Sequence, residues 1–459
     1  MEHIHFIGIG GTGLSAIAKV LLEEGYVVSG SDITLSSLSG AVEEAGGKVY
    51  LGHQAKNIRG ADIVVRSSAV PEENVEVQAA LTAGIPVLKR AEFLERLLEG
   101  KEVTAVAGSH GKTTTTSMIA WILSALDKDP SFIVGGVVAN LQTNAKAGQG
   151  PDFVIEADEY DYMFLGLNPT RAVITNVEHD HPDLFPTEEI FRDAFRGFVN
   201  KLQPEGVLFL CGEDPGAMQL QDELKPNQQL VIYGFEAPDR DYVARNLEIK
   251  NNGGINFEAV AGSGQDAEPV QISLQMPGKH NVLNALAAFA VADHMGLPVK
   301  DTARALAEFK GSERRFDIRG EYQGILLIDD YAHHPTEIDA TLSAARDAYP
   351  DRRIWAVWQP HTYSRTQTLF SGFTEAFSKA DRVVVLDVFA SREEKPEDFS
   401  TADLVQEINH SDVLYIPEIK KAFDFLHKEL RAGDLLLIFT AGDAIEINVQ
   451  LEQVLSDQG

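Results

Sequence analysis

Short apolar runs recur along this chain with helix-like stretches between nearly all of them, and that alternation restricts the fold more than any other feature. HIHFIGIG (3–10), VTAVAG (103–108), RAVITN (171–176), ILLIDD (325–330) and LLLIFTAG (435–442) are apolar almost without interruption. A strand that is apolar at successive positions is buried on both faces, as in a parallel sheet covered by helices. The fold class is therefore α/β.

Two seams divide the chain. A charged stretch, Glu99 to Lys101, precedes VTAVAG, and a polar, basic stretch, Gly311 to Arg315, precedes a new series of strands. Three domains are expected: 1–101, Rossmann-like; 102–315, a central parallel sheet of the P-loop ATPase type; and 316–459, a second Rossmann-like α/β domain. Between about 235 and 275 the polarity alternates around Asn251 to Gly254, which predicts a β-hairpin inserted in the middle domain.

The 459 residues hold 39 Lys and Arg against 69 Asp and Glu, a formal charge of -30. A phosphate backbone or anionic membrane would be repelled by such a surface, so no nucleic-acid or membrane partner is expected. The start, MEHIHFIGIGG, lacks a basic leader and cleavage pattern, and no apolar run approaches the roughly 20 residues of a membrane span. A cytoplasmic protein is expected. The single cysteine, Cys211, lies in the apolar run GVLFLCG and reads as a buried, inert thiol.

A net-negative protein that binds anionic ligands needs helix N-termini, local cations and metal. Two glycine loops supply the first. FIGIGGTG places Gly8, Gly10 and Gly13 between a strand and a helix, with Asp32 closing the next strand where a ribose-binding acid stands in dinucleotide enzymes. The loop offers backbone N–H groups to a diphosphate, and a nicotinamide dinucleotide and a UDP-sugar fit it equally; a turn binding nothing is the alternative.

The second loop, Gly108-Ser109-His110-Gly111-Lys112-Thr113, has Val106 where the longer P-loop pattern has glycine. Lys112 suits terminal phosphates and the Thr113 hydroxyl suits Mg²⁺. FVIEADEYD ends a strand in acids; Glu156, the first after the apolar run, is expected to be the best buried and to hold the metal. His179 and His181 flank Asp180, and with no cysteine or third histidine nearby they predict a metal contact beside phosphate rather than a zinc site. His280 and Asn284 share one face at the start of an alanine-rich helix, placed for a purine or ribose.

GSHGKTTTT, EADEYD, TNVEHDHPD, GKHNVLNALAA, SERRFDIRGE, IDDYAHHPTEI and QPHTYSRT follow one another over essentially the whole chain. In that order they resemble the Mur ligases of peptidoglycan synthesis, most of all the branch that adds L-alanine. The resemblance implies three domains, for UDP-substrate, ATP and amino acid, closing over one site. It also implies the shorter Gly-x-x-Gly-Lys-Thr loop, so Val106 is no defect.

Carried over residue by residue, it implies ATP on Gly108, Ser109, His110, Gly111, Lys112, Thr113 and Thr114, with His280, Asn284, Arg315 and Asp330 completing the nucleotide site. Mg²⁺ falls to Thr113, Glu156 and His181. The substrates fall to Gly10, Gly11, Thr12, Gly13, Asp32, Ser68 and Arg90 in the first domain, and to Tyr331, His333, His334, His361 and Arg365 in the last. Lys112 and His333 are the catalytic candidates, and Arg365 is expected to anchor the amino-acid carboxylate.

Some members have arginine where this chain has Thr362. Others bridge their metal with a modified lysine, whereas Phe195 and Arg196 stand here, so no carbamylated lysine is expected. The implied activity joins L-alanine to the lactyl carboxylate of UDP-N-acetylmuramate through an acyl phosphate, in a monomer or weak homodimer. The rivals are a ligase recycling a tripeptide onto the same UDP-sugar, an NAD-dependent dehydrogenase and a non-catalytic nucleotide-binding regulator.

Overall fold

A computed structural model describes residues 1–251, 253–261 and 268–456. The apolar runs form strands β1 (His3–Ile7), β2 (Val27–Asp32), β3 (Lys48–Leu51), β4 (Ile63–Arg66) and β5 (Val87–Lys89), which make an all-parallel sheet in the order β3-β2-β1-β4-β5. Successive residues of β1 point to opposite cores: Ile4 and Phe6 pack with Leu14, Ile17 and Leu21 of the helix Thr12–Glu23, and Ile7 packs with Val64 and Val77 on the other side. That double burial is why the run is continuous. Strand order reverses between β1 and β4, the switch point at which open α/β sheets leave a crevice, and the first glycine loop leaves β1 there.

Among the described residues the central sheet has ten strands. They are β6 (Glu102–Ala107), β7 (Ser131–Val138), β8 (Thr143–Lys146), β9 (Asp152–Glu156), β10 (Arg171–Ile174), β11 (Val207–Cys211), β12 (Gln229–Phe235), β13 (Tyr242–Ile249), β14 (Ile255–Ala261) and β15 (Val270–Leu274). Their order is β15-β14-β13-β12-β11-β10-β6-β9-β7-β8, parallel through the middle and antiparallel at both edges. One face carries the helices Lys112–Ala125 and Lys279–His294, both buried over most of their length because they are sandwiched against each other and the sheet. Ala285, Ala287, Ala288 and Ala290 of the second are fully buried, small side chains that permit close approach.

The expected hairpin is part of something larger. β13 and β14 pair antiparallel, with Lys250 N–H donating to the Gly254 carbonyl across their turn, but β15 adds a third strand and β13 runs parallel to β12. The segment therefore extends the central sheet instead of interrupting it, because β13 still presents Ala244 to the common core. Asn252 of the turn lies outside the described residues.

The last sheet contains β16 (Asp317–Tyr322), β17 (Ile325–Asp330), β18 (Arg353–Trp358), β19 (Arg382–Val385), β20 (Val413–Tyr415) and β21 (Asp434–Phe439) in the order β16-β17-β21-β18-β19-β20. Only β16 is antiparallel. Leu326 and Ile328 face one core and Ile325 and Leu327 the other, the same two-sided burial as in β1. Among the described residues no helix is long and apolar enough to cross a membrane.

Candidate active site

The phosphate-type loop leaves β6 at Gly108, whose φ of +138° and the 2.0 Å from an added Cβ to Thr175 Oγ1 admit only glycine. At Gly111, φ is +80° and a Cβ would meet Asn284 Oδ1 at 2.6 Å. Val106 is not in the loop: it is a fully buried strand residue paired with Val173 and Glu156. The shorter motif thus starts two residues later, at Gly108. The segment after β10 pins the loop, with Asn176 Oδ1 accepting from His110 N–H at 2.8 Å, Thr175 Oγ1 donating to His110 O at 2.5 Å and Ser109 Oγ donating to Glu178 O at 2.6 Å.

Lys112 begins the following helix. Its Nζ donates to Gly108 O at 2.5 Å and to Glu159 Oε1 at 3.0 Å. Burial opposes its charge, but Glu159, Asp158 and Glu156 raise its pKa further, so the ammonium is permanent. Beside it the Thr113 hydroxyl donates to Glu156 Oε1 at 3.0 Å, and Gly135 N–H donates to Oε2 at 2.7 Å. A hydroxyl and a carboxylate side by side are hard oxygen donors of the kind Mg²⁺ takes with several retained waters, so these residues fit that ion. Glu156 is, however, only half-buried, whereas Glu159 is fully buried. The best-buried acid is thus the third of the EADE run, because the turn after β9 folds it back beneath Lys112. His181, at φ +54°, brings Nε2 to 3.4 Å from Glu159 Oε1; Asp180 and Glu159 outweigh its burial and raise its pKa.

A cleft of about 880 Å³ opens beside the loop and brings together His110, Gly111, Thr113, Thr114, His280, Asn284, Arg315 and Asp330. Cys211, Tyr233, Met276, Leu283 and Phe316 add a mostly apolar wall suited to a flat ring. Burial lowers His280 to about 4, so it is a neutral imidazole. Asn284 accepts from Thr115 Oγ1 at 3.2 Å and donates to Asn281 at 3.3 Å. Asp330 accepts from the N–H groups of Phe316 (2.8 Å) and Ala332 (2.7 Å) and so shapes the chain around the cleft; its burial raises it to about 6.

The C-terminal loops close the mouth. Arg365 donates from Nε to Asp180 Oδ1 at 2.7 Å and from one terminal nitrogen to His361 O at 2.8 Å, while the other lies 3.3 Å from His181 Nδ1. The side chains of this pair are 5% and 3% exposed, so Arg365 is a buried clamp between two loops, and it lines a cavity shared with His181 and His361. His333 hydrogen-bonds Tyr331 O through Nδ1 at 2.9 Å and approaches Asp180 to 4.0 Å; burial and Arg365 hold it neutral. Tyr331 lies beneath the guanidiniums of Arg314 (4.7 Å) and Arg315 (5.1 Å). His334 is a helix N-cap, its Nδ1 accepting from Thr336 N–H at 3.3 Å.

His110, expected on phosphate, turns its ring to Glu178 at 3.1 Å and to Glu337 at 3.3 Å. Burial opposes protonation, yet the two carboxylates push it up to about 9. His110, Glu178 and His334 have potential ligand atoms within 4.8 Å of one another, but His110 is held there as a cation, which makes the cluster an ion pair across the domains. Glu337 was missed by sequence reasoning; its position, three residues after an N-cap in HHPTE, is a capping-box signal.

In the first domain Gly10 N–H donates to Asp32 Oδ2 at 2.9 Å, so Asp32 braces the glycine loop. Gly11, Thr12 and Ser68 are exposed around the same crevice. Arg90 lies against Gly13, where an added Cβ would be 2.2 Å from its guanidinium, and pairs with Asp158 at 3.0 Å. That pair ties the first crevice to the acidic turn beneath Lys112.

Residues 3–102 match the Mur ligase family catalytic domain, 106–292 the Mur ligase middle domain and 314–442 the Mur ligase glutamate ligase domain. A UDP-N-acetylmuramate–L-alanine ligase of Desulforamulus reducens is 43% identical over 100% of this chain and 98% of its own length, and one of Acidithiobacillus ferrooxidans is 40% identical over 100% and 98%. A crystal structure of a UDP-N-acetylmuramate-alanine ligase from Thermotoga maritima superimposes with a TM-score of 0.82 at 27% identity, covering all of both chains. A murein peptide ligase from Psychrobacter arcticus gives 0.72 at 26%, covering 99% of each. With the three domain matches in order along one chain and relatives alike over its whole length, this protein belongs to the Mur ligase family.

Proposed function

We propose that this protein joins L-alanine to the lactyl carboxylate of UDP-N-acetylmuramate, converting ATP to ADP and phosphate. The observation that carries the reading is the meeting of three chemistries at one mouth: a phosphate-type loop with its lysine, a hydroxyl–carboxylate pair and a neutral, half-buried histidine from the C-terminal domain. Full-length relatives named for that reaction support it. Domain limits at 101/102 and 315/316 are part of the same proposal, as is a cytoplasmic location.

A carboxylate and an ammonium do not condense in water, so a leaving group must first be made. Transfer of the terminal phosphoryl group to a carboxylate oxygen gives an acyl phosphate and ADP. The loop N–H groups and Lys112 hold and neutralise the phosphates during that transfer. Thr113 and Glu156 would hold Mg²⁺, with His181 beside them, and the ion would add charge neutralisation there. The alanine amine then attacks the carbonyl carbon, phosphate leaves and one amine proton is lost. His333, uncharged at neutral pH, accepts that proton.

The test is phosphate release with ATP, Mg²⁺ and UDP-N-acetylmuramate in the presence of L-alanine, L-serine, glycine or the tripeptide. Release with L-alanine is expected. Release with the tripeptide alone would make the recycling ligase the correct reading.

A further inference from the structure

The face of the first sheet opposite the helix Thr12–Glu23 holds a buried charge that the ligation chemistry does not use. Glu76, in the first turn of the helix Val75–Ala83, is 0% exposed. Its Oε2 accepts from Ser31 Oγ at 2.5 Å and lies 3.2 Å from His5 Nε2, and its Oε1 accepts from Gln54 N–H at 2.9 Å and from Asn57 Nδ2 at 2.6 Å. Burial opposes the charge, but hydrogen bonds from His5, Ser31, Gln54 and Asn57 outweigh it and hold the carboxyl below its ordinary value. Among the described residues its only ion-pair partners are His5 and His53, with no lysine or arginine.

A buried carboxylate of this kind is a weak source of stability, because well-packed apolar side chains of similar size do as well. Its place in the fold indicates what it holds instead. Ser31 is the residue before Asp32 at the end of β2, and its carbonyl accepts the N–H groups of Gly8 at 2.8 Å and Ile9 at 3.1 Å, while the Asp32 carboxylate takes Gly10 N–H. Three successive N–H groups of the first glycine loop therefore hang on Ser31 and Asp32. The Ser31 hydroxyl, donated to Glu76, is also 2.9 Å from His53 Nδ1, so the side chain that fixes this strand end is itself fixed by the buried carboxylate.

We propose that Glu76 is a positioning residue for the nucleoside diphosphate of the sugar substrate: through Ser31 it sets the first glycine loop, so that the N–H groups opening the helix Thr12–Glu23 meet the diphosphate. This rests on the ligase reading above, which assigns the UDP-sugar to that crevice. Asn57 serves the other carboxylate oxygen, where Gln54 N–H also donates, and so ties down the loop after β3. The two oxygens of one carboxylate thus have separable duties, Oε2 for the glycine loop and Oε1 for its neighbour.

The test compares wild type with Glu76→Gln, Ser31→Ala and Asn57→Ala. Phosphate release is measured while UDP-N-acetylmuramate, ATP and L-alanine are varied in turn, and UDP-N-acetylmuramate is titrated by calorimetry in the presence of a non-hydrolysable ATP analogue. Loss of a hydrogen bond to a charged group predicts a KM and Kd for the UDP-sugar roughly 5- to 50-fold higher in E76Q, with kcat and the other two KM values within about twofold. S31A, which removes one hydroxyl inside a strand, should weaken UDP-sugar binding in the same direction and gives the readout if E76Q does not fold. N57A should lower the melting temperature, followed by circular dichroism, yet leave UDP-sugar affinity within about twofold, a split that a merely structural network would not produce. A wild type that binds the UDP-sugar, with S31A binding it equally well or N57A weakened as much as E76Q, overturns the role of Glu76 alone. A wild type that neither binds the UDP-sugar nor releases phosphate with it overturns the ligase reading as well.

Discussion

The His110 ion pair makes stability depend on pH in a direction the structure specifies. His110 stands in the phosphate loop of the central domain and Glu337 on the first helix of the C-terminal domain, with side chains 13% and 10% exposed. Moving the imidazole from 6.5 to about 9 corresponds, at about 1.4 kcal/mol per pH unit, to roughly 3 kcal/mol. Because the folded value is raised, this stabilisation is fully present below pH 6.5 and is lost as pH rises through 9. His110→Asn removes the charge while keeping a polar side chain. Urea unfolding of wild type and variant from pH 6 to 10 should therefore show a gap of about 2–3 kcal/mol at pH 6 that closes towards pH 9.5. A gap independent of pH would refute the argument, since it would mean that His110 contributes by shape and not by charge.

Lys112→Ala should lower kcat by at least about 100-fold in the phosphate-release assay, and should also lower the melting temperature because Glu159, fully buried, loses its cation. Gly108→Ala places a methyl 2.0 Å from Thr175 Oγ1 at a φ of +138°; ATP affinity measured by calorimetry should fall by more than tenfold, and normal affinity would show the loop to be more pliant than its contacts indicate. Burial raises the Cys211 thiol to about 11, so native protein should resist iodoacetamide at pH 7.5 and label only on unfolding, as followed by mass spectrometry.

Patterns carried by residues close together in the chain are legible in the sequence. The two-sided strands, both glycine loops and the strand-end acids follow from local periodicity and from where α/β sheets leave their strand ends, and each is found where that reasoning puts it. The inserted hairpin is half legible, since alternation marks antiparallel strands but does not say which existing strand they extend. Thus the sequence by itself determined the three-sheet plan, the second glycine loop with Lys112 and Thr113, and the set of chemistries available. Only the tertiary structure decided how they are paired: Glu159 under Lys112, Glu337 against His110 and Asp180 holding Arg365. Those partners lie 47 to 227 residues apart, and an electrostatic pairing depends on distance and burial in space, which no spacing along the chain encodes.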